Sequence, residues 1–294
     1  MSQSSDLKWH LINTRKNELL ATTVFEIFRA NNIEPILIKG LAAAQSYPAD
    51  VPRLFADIDL CVPASYYDKA LELISSEPLL DKISIDLHKG FRHLDSLPFE
   101  TLYKRSRLID VDTIRIRVLA EEDHLRVLCV HWLNDGGEFR DRLYDIYFAV
   151  KNRAKTFDWE ICLSEVSAKR RKWIIFTIGL AHKYLALDIE DLPFADEAKR
   201  LPNWLTKRIE HEWTKGTKIS PLVATTNTYD LFTQLKKRVF ANPIQSTIEM
   251  EGDLNGRYRH LYQLGNFCKR TILLIKSRSK RNGQGQKAKS IING

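Results

Sequence analysis

Asp57 and Asp59 stand two residues apart in the run Leu54-Phe55-Ala56-Asp57-Ile58-Asp59-Leu60-Cys61-Val62. Two carboxylates in an otherwise apolar, strand-like segment are costly to bury unless a cation or a hydrogen-bond donor faces them. Alternate residues of a strand point to one face, roughly 6.5–7 Å apart along it. That spacing suits gripping one or two divalent ions from the same side. Upstream, the apolar run Pro35-Ile36-Leu37-Ile38 ends in Lys39-Gly40 and opens into the helix-like Leu41-Ala42-Ala43-Ala44. A lysine, together with backbone N–H groups at a helix start around Gly40, can hold phosphate. Downstream, Lys82-Ile83-Ser84-Ile85-Asp86-Leu87-His88 alternates as a strand does, with Asp86 and His88 on one face. Set beside the first carboxylate pair, Asp86 would be a third ligand. Two ions about 3.5–4 Å apart, clamping phosphates, need bridging and flanking carboxylates of this kind. An Asp at that third position can also serve as general base.

The elements that must carry these groups follow from periodicity. Residues 7–30 place Leu11, Ile12, Leu19, Leu20, Phe25, Ile27 and Phe28 in a helical pattern, ended by Asn31-Asn32. A strand over 35–38, a loop bracketed by Pro48 and Pro52 and the Asp-x-Asp strand come next. Ser65 is the predicted N-cap of a helix through Tyr66, Ala70, Leu71 and Ile74. Thr113 to Val118 alternates as a partly solvated strand. From Glu121 the pattern turns helical, with helices predicted over 121–133, 139–152, 159–168, 171–187 and 203–214. The fold class is therefore α+β: an α/β core over 1–120, a helical region over 121–275 and a basic, disordered tail over 276–294.

Composition bounds the answer. The chain has 294 residues, 44% hydrophobic and 28% charged, as a globular protein does. Its formal charge is +8, yet ten Lys and Arg and no acid lie beyond residue 253. Removing those ten cations from +8 leaves −2 for residues 1–253. A basic tail of this kind is read as an arm able to bind RNA by counterion release, or as a solubilising terminus. Cys61, Cys129, Cys162 and Cys268 show no metal-finger spacing and read as free thiols of a reducing compartment. With no signal-peptide pattern and no uncharged apolar run near the ~20 residues of a membrane span, the expected location is the cytoplasm, without membrane contact.

Taken together, Leu37-Ile38-Lys39-Gly40-Leu41-Ala42, Tyr47, Arg53, Asp57-Ile58-Asp59-Leu60 and Asp86-Leu87-His88 form an ordered set. His131, Arg142-Leu143, Asp145 and Asp158-Trp159 extend it. This set resembles the uncharacterised nucleotidyltransferases of the DNA polymerase β-like superfamily, over about residues 31–190. The resemblance implies a mixed sheet with flanking helices followed by a helical C-terminal domain, and transfer of a nucleotide from an NTP with release of pyrophosphate. It implies Mg²⁺, with Mn²⁺ as the alternative, held by Asp57, Asp59 and Asp86, and an NTP held by Lys39, Gly40, Arg53 and His88. The acceptor is open among an RNA end, a protein side chain and a small molecule. One departure is the turn itself, where the broader superfamily carries Gly-Ser and this chain has Lys39-Gly40.

Each residue also has a plainer role. Arg53 can clamp phosphate or neutralise a carboxylate, and His131 is read as a satisfied core histidine. Arg142 and Asp145 are expected to pair along one helix. Trp173, Phe176 and Tyr184 recur at core spacing. Two other functions stay open: a glycosyltransferase that uses Asp-x-Asp to hold a nucleotide-sugar, and a non-catalytic nucleotide- or RNA-binding module.

Overall fold

The computed structural model describes residues 3–91, 94–215, 242–256 and 259–272. The basic tail from 276 lies outside them. Five strands form one mixed sheet: β1 (Ile36–Leu37), β2 (Ile58–Val62), β3 (Ile85–Lys89), β4 (Arg107–Val111) and β5 (Ile114–Val118). Their order is β3-β2-β1-β5-β4. β1 runs antiparallel to β2 and parallel to β5, β2 runs parallel to β3, and β4 runs antiparallel to β5.

Strand alternation sorts side chains between two cores. Leu37, Ile58, Leu60, Val62, Ile116 and Val118 pack with Val24, Phe25 and Phe28 of α1 (Gln3–Ala30) and Ala70 of α3 (Tyr67–Ser76). Ile36, Ile38 and Cys61 pack on the opposite face with Phe91, Leu102 of α4 (Phe99–Arg105) and Val127 of α5 (Glu121–Asn134). Each large side chain buried this way contributes roughly 1.5–3 kcal/mol. Because the period is two, Asp59 must emerge on the second face beside Cys61. A one-residue slip of β2 would drive its carboxylate into the α1/α3 core, so burial of Leu60 and Val62 fixes the register.

The sequence reading and the structure differ in several elements. β4 was not expected: it is a five-residue edge strand with Leu108 exposed, which blurs its alternation. The short helices α4 and α9 (Ala195–Lys199) were also missed. Ser65 does not cap α3, whose N-cap is Tyr66 with no side-chain cap bond. Asp158 does cap α7 (Trp159–Ser164), accepting from the N–H of Glu160 at 2.8 Å. Met1–Trp132 with Phe139–Leu201 form one compact unit, and Leu133–Glu138 with Pro202–Gly294 form another. Leu119 and Val127 share a core with Ile36 and Ile38, so α5 completes the sheet's second face.

Within the first unit, Arg126 of α5 is fully buried and donates to Asp95 at 2.8 Å, Asp123 at 2.6 Å and the Ile161 carbonyl at 3.1 Å. Where α8 (Ala168–Leu185) meets α9, Gly179 is required: a Cβ there would lie 2.0 Å from the Ala198 carbonyl oxygen. In the second unit, the helices Asn203–Lys215 and Pro243–Glu249 are tied to the 133–138 turn by Trp213 donating to Gly137 and Asn242 donating to Gly136. Cys61, Cys129 and Cys162 are buried free thiols, and Cys268 is exposed. No helix among the described residues is long and apolar enough to cross a membrane.

Candidate active site

β1 and β2 run antiparallel, so the residue that follows β1 meets the start of β2. The Ile38 N–H donates to the Asp59 carbonyl at 3.1 Å, which brings Lys39 level with the Asp59 side chain. Lys39 is buried, and its ammonium ion-pairs directly with Asp59 Oδ1. Next to it Gly40 takes φ 56°, and a Cβ there would lie 3.1 Å from the Phe55 ring. Glycine is needed at this turn for both reasons. Gly40 leads straight into α2 (Leu41–Ala44), whose Leu41, Ala42 and Ala43 are buried.

On the other side of β2, the parallel register sets Asp59 opposite Asp86 and Cys61 opposite His88. His88 Nε2 lies 3.1 Å from Asp86 Oδ2 and 3.8 Å from Asp59 Oδ1. One ligating atom each from Asp59, Asp86 and His88 lies within 4.8 Å of the others. Asp86 is half exposed, and its pKa is lowered to about 2, chiefly by the His88 hydrogen bond and despite partial burial. Burial opposes charge on His88, but the Asp59 and Asp86 carboxylates outweigh it and hold its pKa above the usual histidine range. Asp59 Oδ1 is buried against the Lys39 ammonium, and His88 Nδ1 is buried without a hydrogen bond. A buried carboxylate oxygen neutralised only by an ammonium, beside a second carboxylate and an imidazole, is a donor set that fits a divalent ion.

Lys39, Gly40, Asp57, Asp59 and Asp86 line a cleft of about 1090 Å³. Leu128, His131, Trp132, Asp141 and Tyr144 line it as well. Asp57 is exposed, on the bend before β2, and stands apart from the Asp59–Asp86–His88 group. Arg53 lines the cleft but is engaged by Asp145 of α6 (Leu143–Lys151). Its Nε donates to Oδ1 at 2.9 Å and its terminal nitrogen to Oδ2 at 2.7 Å. Tyr47 donates to the same carboxylate at 2.6 Å. Burial works against the Arg53 charge, but the fork onto Asp145 outweighs it and raises the pKa.

Arg53 is thus the partner of a carboxylate, though not of Asp57 or Asp59. Both Asp145 oxygens face Arg53, where a pairing with Arg142 along the helix was expected; the Arg142 guanidinium lies 4.6 Å over the Phe139 ring. His131 is only partly buried, in the cleft wall. The deeply buried histidine is His124, two turns away, within hydrogen-bonding distance of the Ile38 carbonyl at 3.2 Å.

Residues 7–79 match the model of an uncharacterised nucleotidyltransferase family. The matched segment holds Lys39, Gly40, Arg53, Asp57 and Asp59, and it stops before Asp86 and His88. The family description names nucleotidyl transfer and no substrate, acceptor or ion. No curated protein and no solved structure matches the chain.

Proposed function

We propose that this cleft transfers a nucleotidyl group from an NTP to an acceptor and releases pyrophosphate, with a divalent ion bound. The observation that carries the reading is the parallel register that sets Asp59 against Asp86, one strand from Lys39; Lys39 and Asp59 lie within the segment 7–79 that a nucleotidyltransferase family model matches. On this reading the sheet is a polymerase β-like core and the helices after β5 are its helical companion.

Asp59 and Asp86 would hold the ion, with the exposed Asp57 as a further ligand. The ion, when bound, neutralises phosphate charge and acidifies the attacking hydroxyl. Lys39, freed from Asp59, puts its ammonium on a phosphate oxygen. Gly40 lets the backbone approach that phosphate without a side chain in the way. The acceptor oxygen bonds to the α-phosphorus as the bond to the bridging oxygen breaks, its proton passing to Asp86 and the electron pair leaving with pyrophosphate. Asp86, held ionised by its His88 hydrogen bond, is thus both an ion-holding group and the proton acceptor. Arg53 acts indirectly, by fixing the loop before β2 through Asp145. The acceptor is an RNA end, reached through the basic C-terminus, or a protein side chain or small molecule.

The test is pyrophosphate release from each of the four NTPs with Mg²⁺ or Mn²⁺, with and without RNA and cell extract. Wild type is compared with the Asp57→Asn/Asp59→Asn double variant. Release that disappears in the double variant is the expected result. No release under any condition, with both proteins binding NTP equally, would make this a non-catalytic nucleotide-binding module.

A further inference from the structure

We infer that His88 is itself an ion ligand, and that the Asp59–Asp86–His88 centre selects Mn²⁺ over Mg²⁺. The inference rests on the reading of Asp59 and Asp86 as ion-holding groups and adds a third donor and a metal preference to it.

Strand period places His88 on the face of Asp86, the β2–β3 register sets Asp59 opposite Asp86, and the His88 ring reaches back towards Asp59. The ring is turned so that Nε2, not Nδ1, faces the two carboxylates, at 3.1 and 3.8 Å. Donor atoms bound to one ion at roughly 2.0–2.2 Å lie roughly 2.9–4.4 Å from one another. Both measured separations fall in that range, so small side-chain adjustments would close the three donors on one centre. An independent observation points into the same space. Asp59 Oδ1 belongs to a side chain only 4% exposed and is met directly by the Lys39 ammonium, a cation seated where the three donors converge. A lysine there supplies the positive charge that the three donors otherwise take from an ion.

The donor types set the preference. Mg²⁺ demands oxygen ligands in a near-ideal octahedron and keeps several waters. Imidazole nitrogen suits first-row transition ions better. Two carboxylates and one imidazole leave open positions for phosphate oxygens, which the more adaptable Mn²⁺ tolerates.

The experiment is Mn²⁺ binding to the full chain without nucleotide, followed by electron paramagnetic resonance, with pulsed detection of ¹⁴N coupling. The expected result is one tightly bound Mn²⁺ with an imidazole nitrogen coupling, displaced by Mg²⁺ only at about tenfold or greater excess. His88→Gln, checked for folding by circular dichroism, should lose the coupling and most of the Mn²⁺ preference. Bound Mn²⁺ without nitrogen coupling in wild type would overturn the inference, as would an unchanged preference in His88→Gln or no Mn²⁺ binding at all. Pyrophosphate release from the same samples reports separately. A nitrogen-coupled Mn²⁺ with no release under any condition would sink nucleotidyl transfer and leave the His88 assignment standing.

Discussion

Replacing Lys39 with methionine isolates the ion pair at the centre of the cleft. The Lys39 and Asp59 side chains are 10% and 4% exposed, so methionine keeps the packing of the lysine stem while leaving a buried carboxylate without its cation. Removing one partner of a buried pair costs about 3–5 kcal/mol. His88, 3.8 Å from the same oxygen, softens the loss, which puts the expected value near the lower end. With a urea dependence of about 3 kcal/mol per molar, a loss of about 3 kcal/mol moves the unfolding midpoint down by about 1 M. The assay is urea unfolding of wild type and Lys39→Met, in chelator and again with Mn²⁺. An ion at one hundred times its dissociation constant stabilises by about 2.7 kcal/mol. The variant should gain nearly all of this, whereas wild type gains less because the ion must displace the ammonium. The deficit should therefore be large in chelator and small with Mn²⁺. Equal stability of the two proteins in chelator would refute the account of the pair, and a deficit indifferent to Mn²⁺ would refute the competition.

Three further perturbations test the supporting structure. Arg53→Met should cost about 3 kcal/mol in urea unfolding by stripping Asp145 of its fork, and Tyr47→Phe about 1 kcal/mol; a loss under about 1 kcal/mol for Arg53→Met would contradict the clasp. Gly40→Ala should destabilise by about 1–2 kcal/mol through its positive φ alone, with more from the Phe55 ring, and should abolish pyrophosphate release. Burial lowers the His124 pKa from 6.5 to about 4, so between those values the unfolded chain binds the extra proton and stability falls as the pH is lowered. From pH 7 to pH 5 that loss is about 2 kcal/mol, and it should be missing from His124→Gln when the two unfolding profiles are compared.

Asp59, Asp86 and His88 were legible because strand period is local and each declares its face within a few residues; Asp57, expected on the same strand face as Asp59, lies on the bend before β2. The strand order that joins Asp59 to Asp86 was anticipated from chemistry and is fixed in the fold by Leu60 and Val62, which must point the other way. Lys39 was read as facing phosphate, and its partner was missed because the pairing depends on the antiparallel β1–β2 register. Arg53 and Asp145 were both singled out, yet nothing local links residues so far apart in the chain. The buried Arg126–Asp95–Asp123 network was missed for a related reason: Asp95, which closes over Asp123 and Arg126, is distant from them in the chain.

The parallel pairing of β2 with β3 also governs when the site can exist. Parallel neighbours cannot be joined by a tight turn, and here residues 63–84, with α3 among them, intervene between the strands. Asp59 and Asp86 are strangers in the unfolded chain and meet only after that crossover has closed, a non-local step that is slow by nature. The proposed ion would find little to grip beforehand, so its stabilisation would enter on the native side of the barrier. It would hold the folded protein together by slowing its opening and leave the rate of its formation almost untouched.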